Sequence, residues 1–139
     1  MNKQSTAKTK SLLVILWLAM LCAVAFYYGL TYLVPGAARP QSPHMKVMLG
    51  ILQALAAVWF LTGMVVEGIM IGRAANPGSV VRAGIVSAAF GEAIAIFGLL
   101  WFFMSHERIW EFFAVSGLYF VRLFVKLPDF NAKIDSLAQ

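Results

Sequence analysis

Long apolar stretches dominate the chain and alternate with short polar segments. Three of them run from Ser11 to Val34, from Val47 to Gly72 and from Val80 to Met104. Each reaches the roughly 20 residues with which a helix crosses about 30 Å of hydrocarbon. The pattern therefore predicts three membrane-spanning helices.

A fourth apolar stretch, from Ile109 to Val125, is shorter and carries Glu111 and Arg122. Its length allows either an oblique span or a helix that lies in the interface with its apolar side down. We therefore expect an all-α fold, an integral membrane bundle of three to four transmembrane helices. Residues 1–139 would form a single membrane domain with helices at about 11–34, 47–72, 80–104 and 109–125.

Residues that break helices separate these stretches. The segment from Pro35 to Met45 also contains Gly36, Pro40 and Pro43, and proline lacks the backbone donor that a continuing helix needs. The next connection contains Asn76-Pro77-Gly78, which is typical of a tight turn, and Ser79 after it can cap the following helix. The second and third helices are thus predicted to form a central antiparallel hairpin, and Pro128 to end the fourth helix before a polar tail.

Composition agrees with a membrane location and restricts the possible partners. The chain is 61% hydrophobic and only 12% charged, which is far from the balance of a soluble domain. Its net charge of +5 is spread over termini and loops, whereas nucleic-acid binding requires a continuous basic surface. The expected partners are membrane lipids and other membrane subunits or copies of the same chain, with no nucleic acid.

The basic residues also predict an orientation. Three groups lie on one side of the predicted topology: Lys3, Lys8 and Lys10; Arg73 and Arg82; Lys126 and Lys133. The positive-inside rule makes that side cytoplasmic, so a multi-pass protein with both termini in the cytoplasm is expected. Arg39, Lys46 and Arg108 on the other side reduce the asymmetry.

Small residues form a stripe along the third predicted helix. Its members are Gly84, Ala88, Gly91, Ala95 and Gly98. Their alternating spacing of four and three places them on one helical face, and in a bilayer such faces let helix backbones approach closely. We call this stripe the small-residue seam and expect it to pack against a helix of this chain or of another copy.

Glu92 lies at the edge of the seam, about 12 residues or roughly 18 Å into the third stretch. An isolated carboxylate at this depth is costly, so such residues usually pair, take up a proton or mark an ion path. One interpretation is a reversible proton or cation carrier. The other is a buried ion pair with Arg122, which would lie at the same depth if the fourth stretch spans the membrane.

Glu67 lies nearer the cytoplasmic end of its helix, about five residues or roughly 7 Å from that end. Arg82 is within reach across the hairpin, so a salt bridge or a solvated helix end is expected. No histidine, cysteine or carboxylate group has metal-ligand spacing, and no nucleophile motif or phosphate-binding loop is present. The sequence therefore predicts no metal, no cofactor and no enzymatic activity of its own.

The hairpin contains the run Ala88-Ala-Phe-Gly-Glu92-Ala-Ile-Ala-Ile-Phe-Gly98-Leu99, preceded by Arg82 and the turn Asn76-Pro77. With these residues the hairpin resembles the proteolipid (c) subunit of rotary ATPases. In that family a similar run surrounds the ion-carrying carboxylate, and a polar turn faces the central stalk of the rotor. The resemblance implies that Glu92 carries the ion and that Asn76-Pro77 forms the turn.

Two functions follow as hypotheses. The first is a c-like proteolipid subunit of a membrane complex that translocates protons or cations through Glu92. The second is a non-catalytic structural or assembly subunit, in which the seam docks a partner and Arg122 neutralises Glu92.

Overall fold

The computed structural model describes residues 3–34 and 42–138, with side chains from residue 5 onward. It contains five helices: α1 (Lys3–Leu33), α2 (Pro43–Gly72), α3 (Pro77–Ser105), α4 (Trp110–Val125) and α5 (Leu127–Ala138). The described residues include no strand, and the all-α prediction is confirmed. The predicted loop residues Pro35, Gly36 and Pro40, together with Arg39 and the side chain of Lys3, lie outside the described residues.

Three helices are long and apolar enough to cross a membrane. They are Ser5–Leu33, Pro43–Gly72 and Pro77–Ser105, with mean hydropathies of 2.3, 2.0 and 1.9. They coincide with the three predicted spans. The 16 residues of α4 rise only about 24 Å, less than the hydrocarbon core of a typical bilayer.

Proline begins the two hairpin helices a few residues earlier than predicted. Pro43 and Pro77 each occupy the first turn of their helix. Backbone N–H groups in this turn have no intrahelical acceptor, so a proline there costs no hydrogen bond. Ser42 caps α2 by accepting a hydrogen bond from the backbone N–H of Met45. Asn76, not Ser79 as predicted, caps α3, because its side-chain oxygen accepts from the N–H and the hydroxyl of Ser79.

The C-terminal segment is a helix rather than the predicted polar tail. Only Lys126 separates α4 from α5, and Pro128 lies in the first turn of α5, where proline is tolerated. Phe130 and Ile134 are four residues apart and both buried, so they form one apolar face. Phe130 stacks edge to face on Trp17 of α1, with ring centroids 5.2 Å apart, which holds α5 against the bundle.

Helix α3 lies at the centre and contacts all four other helices. Trp17 donates to the carbonyl of Gly84, and Tyr27 further along α1 donates to Glu92, so α1 runs parallel to α3. Helices α2 and α4 run antiparallel to α3. Helices α1 and α2 flank α3 and barely meet each other.

The start of α1, the turn between α2 and α3, and α5 lie at one end of the bundle. Lys10 forms an ion pair of 2.7 Å with Asp135, and Leu13, Trp17 and Phe130 all surround Gly84. This end, here called the basic end, also carries other basic side chains: Lys8, Arg73, Arg82, Arg122, Lys126 and Lys133.

Candidate functional site

The small-residue seam is covered by helices of the same chain. All five of its residues are buried. At its basic end Gly84 is covered by Leu13, Trp17 and Phe130. Further along, α4 lies over the seam with four aromatic side chains, which are Phe112, Phe113, Tyr119 and Phe120.

The backbones of α3 and α4 approach too closely for larger side chains on the seam. A Cβ atom added at Gly91 would lie 3.0 Å from ring atoms of both Tyr119 and Phe120, and one at Gly98 would lie 2.8 Å from Cβ of Phe112. Ser116 of α4 donates a hydrogen bond of 2.7 Å to the carbonyl of Gly91. The contacts at the seam therefore fix the position of α4 along the axis of α3.

Glu67 is the centre of a buried polar cluster that joins three helices. Its side chain is 1% exposed and receives two hydrogen bonds from the Arg122 guanidinium, at 2.8 and 3.0 Å. Ser87 of α3 donates a third to Oε2 at 2.6 Å, and the Lys126 ammonium lies 3.3 Å from Oε1, which also accepts from Arg122. Such a fork-to-fork pair is both strong and directional.

Tyr119 extends this cluster towards α2. Its hydroxyl lies 3.0 Å from that of Ser87 and fills the space beside Gly63, where a Cβ atom would overlap it. The guanidinium of Arg122 lies 5.5 Å from the Tyr119 ring centroid. We call Glu67, Ser87, Tyr119, Arg122 and Lys126 the Glu67 cluster.

The sequence suggested that Glu67 pairs with Arg82. In the structure, Glu67 pairs with Arg122 of α4 instead. Arg82 is exposed and forms no ion pair among residues 5–34 and 42–138. Its neighbours Val81, Ala83 and Gly84 are buried, so Arg82 lies on the outward face of α3. Helix geometry therefore directs its side chain away from α2.

Arg122 is likewise not the partner of Glu92. The predicted pairing assumed that α4 begins level with the far end of α3. In the structure, Phe112 at the start of α4 packs on Gly98, which is about 10 Å short of the end of α3 at Ser105. This offset moves Arg122 towards the basic end and places it beside Glu67.

Glu92 occupies the opposite side of α3, facing α1. It is half-buried and accepts a hydrogen bond of 2.7 Å from the Tyr27 hydroxyl. No cation pairs with it in the part of the chain that the structure describes. Because successive helical residues turn by about 100°, Glu92 faces a different helix from Gly91 next to it.

Sequence reasoning missed Tyr27 as the partner of Glu92 and missed Ser87 and Lys126 as partners of Glu67. A tyrosine within an apolar span carries a hydrogen-bonding group that needs a partner, and this was the available signal for Tyr27. Glu67 lies five residues before the end of α2, and Arg122 lies three residues before the end of α4. Both residues therefore lie within two turns of a helix end at the basic end. Comparing the distances of residues from that end would have paired Arg122 with Glu67 and not with Glu92.

The described residues contain no group of three or more His, Cys, Asp and Glu side chains that could hold a metal ion. The polar chemistry of the spans is therefore concentrated in Glu92 and in the Glu67 cluster. Comparison with protein families, curated proteins and solved structures finds no match for this chain.

Proposed function

We propose that the protein is a multi-pass membrane subunit that carries protons or cations through the bilayer on Glu92. The proposal follows the hairpin's resemblance to rotary ATPase proteolipid (c) subunits. The observation that supports it best is the position of Glu92 at the middle of the most central helix, with a tyrosine hydroxyl as its partner and no cation paired with it among the described side chains.

The depth of Glu92 is the first support. It lies roughly 22 Å from the start of α3 at Pro77 and roughly 20 Å from its end at Ser105, at about 1.5 Å per residue. A charge at the centre of a bilayer costs several kcal/mol unless it is paired or neutralised. A carboxyl group without a fixed cation meets this cost by binding a proton or a mobile cation, which is the property that a carrier needs.

The partner of Glu92 suits both protonation states. A tyrosine hydroxyl is a donor and an acceptor, so it can donate to a carboxylate and accept from a carboxylic acid. Glu92 is also half-buried and not sealed in the core, and a carrier must exchange its proton with its surroundings. Glu67, in contrast, is fully buried and held by two cations, which makes it a structural group.

The covered seam affects how copies or partners would meet. Since α4 covers the seam, neighbouring chains would have to pack on other surfaces. The outer face of α2 is available, because it exposes a row of large apolar side chains: Val47, Ile51, Leu55, Val58, Leu61, Val65 and Ile69. This face also supports a second candidate function, a structural or assembly subunit that docks through α2 and in which Glu92 is static.

The test replaces Glu92 with glutamine and measures proton flux in reconstituted vesicles that contain a pH-sensitive dye. We expect Glu92→Gln to abolish the flux, because the amide cannot bind and release a proton. The matched control is Glu111→Gln, which removes an exposed carboxylate of α4 and should leave the flux intact. Unchanged flux in Glu92→Gln rejects the carrier role.

A second measurement tests proton uptake by Glu92 without requiring partners. A lipid-soluble carbodiimide reacts with carboxyl groups in their protonated form, and mass spectrometry locates the adduct. A carrier predicts modification at Glu92 and none at Glu67. An unmodified Glu92 would contradict the carrier role, and then the α2 face becomes the basis of function.

A further inference from the structure

A groove of about 600 Å³ runs between α2 and α4 on the lipid-facing side. Its walls are mostly apolar and include Phe60 and Leu61 of α2 and Val115 and Leu118 of α4. Gln53 and Glu111 lie at the end farther from the basic end. The groove exists because α2 and α4 both pack on α3 but have few contacts with each other.

The groove leads towards the Glu67 cluster. On α4, residues 111, 115, 118 and 122 are spaced by four, three and four and so share one face. Arg122 therefore lies about 6 Å beyond Leu118 along the same face. On α2, the residues at 53, 57, 60 and 67 are spaced by four, three and seven and so also share one face, which ends at Glu67.

Cations remain available beyond the end of the groove, about one turn past Leu118 on the same face of α4. Lys126 keeps 43% of its side chain exposed and Arg122 keeps 17%. In the described part of the chain, one carboxylate, Glu67, accepts from both of them. An ammonium has three donors and a guanidinium five, so both side chains retain donors for an oxyanion.

The surrounding charge favours an anion at this end. Counted over described side chains, the basic end carries seven cations, Lys8, Lys10, Arg73, Arg82, Arg122, Lys126 and Lys133, and three carboxylates, Glu67, Asp129 and Asp135. Long cationic side chains near helix ends extend to the headgroup level. Basic pockets between membrane helices bind anionic lipid headgroups in this way.

From the apolar groove and the cations beyond its end, we propose that the groove between α2 and α4 binds one anionic phospholipid. Its phosphate is bound by Lys126 and Arg122, and an acyl chain lies along Leu118, Val115 and Phe60. The distance from Lys126 to Val115 is about 16 Å along the helix, which matches the hydrocarbon depth of one leaflet, about 15 Å, and ends near the level of Glu92, because Ser116 bonds to Gly91. This site is independent of the carrier role of Glu92.

The experiment compares phosphatidylglycerol with phosphatidylcholine as probes for the purified chain in mild detergent. Native mass spectrometry gives the affinity of each lipid, and thermal unfolding gives the stabilisation that each confers. We expect phosphatidylglycerol to bind more tightly and to raise the melting temperature more. Lys126→Gln should lower the affinity for phosphatidylglycerol about fivefold, because one basic residue near an anionic headgroup contributes about 1 kcal/mol to binding.

A further variant tests the groove itself and allows for any loss of stability in Lys126→Gln. Leu118→Trp fills the groove and should abolish the preference for phosphatidylglycerol, with each variant compared with its own lipid-free state. Its control is Leu18→Trp at an exposed position of α1, and the control for Lys126→Gln is Lys133→Gln on α5. Both controls should behave as the original chain.

Three results would overturn the proposal. The first is equal binding of the two lipids by the original chain, and the second is an unchanged preference in Leu118→Trp. The third is cross-linking of Leu118→Cys to a second copy or to another protein in native membranes, which would identify the groove as a protein interface.

Discussion

Glu67 shows how one side chain connects three helices inside an apolar bundle. Its carboxylate accepts from Arg122 of α4, from Lys126 directly after α4 and from Ser87 of α3. Removing one member of a buried ion pair is costly because the other charge stays behind without its counter-charge. The cluster is therefore expected to contribute strongly to stability, although a fully apolar replacement of all its members could serve as well.

We predict that Glu67→Gln lowers the free energy of unfolding by about 3 kcal/mol, at the lower end of the cost of breaking buried pairs because Lys126 is partly solvated. Thermal unfolding in detergent measures the change. Glu111→Gln, at an exposed position, is the control and should shift the value by no more than about 0.5 kcal/mol.

A double-mutant cycle checks the cause. If the pair is responsible, Glu67→Gln and Arg122→Gln combined should cost clearly less than the sum of the two single substitutions. Full additivity would contradict the pairing and would leave Arg122 without a structural role in the cluster.

At the residue scale, the sequence identified Glu67, Glu92, Arg82 and Arg122 as the ionisable groups of interest but paired them incorrectly. Their depths depend on where each helix begins relative to its neighbours. That offset is set by contacts such as Phe112 on Gly98, which no pattern along a single helix contains. The carrier role of Glu92 stays a prediction.

At the scale of helices, length and apolarity were sufficient to find α1, α2 and α3. Helix α5 was missed because its mean polarity and Pro128 are typical of a tail. Its fully buried residues are only Phe130 and Ile134, and Phe130 packs on Trp17, more than a hundred residues earlier in the sequence. The partner of the small-residue seam was also left open, since spacing identifies a packing face and not the helix that covers it.

Helix α2 offers a direct test of how closely it packs. At Gly63 a Cβ atom would overlap the Tyr119 hydroxyl and lie 2.8 Å from Cβ of Phe90, whereas at Gly68 on the same helix nothing lies within 4 Å. We predict that Gly63→Ala destabilises the protein by about 1–3 kcal/mol through overpacking. Gly68→Ala should be neutral or stabilising by up to about 1 kcal/mol, because alanine favours a helix more than glycine does.

Unfolding temperatures of the two variants in the same detergent provide the comparison. The substitution is the same in both, so propensity and added volume cancel and only the surroundings differ. Equal effects at the two sites would contradict the close approach of α2 to Phe90 and Tyr119.

On the scale of the whole molecule, the arrangement of the ends predicts a topology. The start of α1, the α2–α3 turn and α5 lie together at the basic end, and the start of α2 lies at the other. In a Cys22→Ser background, which removes the only cysteine, single cysteines report which side each site faces. The exposed sites are Lys8, Ala75 and Ala132 for the basic end and His44 for the opposite end.

We predict that a membrane-impermeant thiol reagent labels Lys8→Cys, Ala75→Cys and Ala132→Cys from the same side of the membrane. By the positive-inside rule that side is the cytoplasm. His44→Cys should be labelled only from the other side. Labelling of Ala75→Cys and Ala132→Cys from opposite sides would show that α4 and α5 do not return to the basic end.

The position of α3 between α1 and α2 has a consequence for biosynthesis. The first two helices leave the ribosome before the helix that joins them exists, and they barely meet each other in the finished fold. In a membrane each would therefore persist alone in lipid for a time, which their hydropathies of 2.3 and 2.0 permit. Assembly then requires the third helix, so a chain truncated before α3 would form two separate helices and not half a bundle.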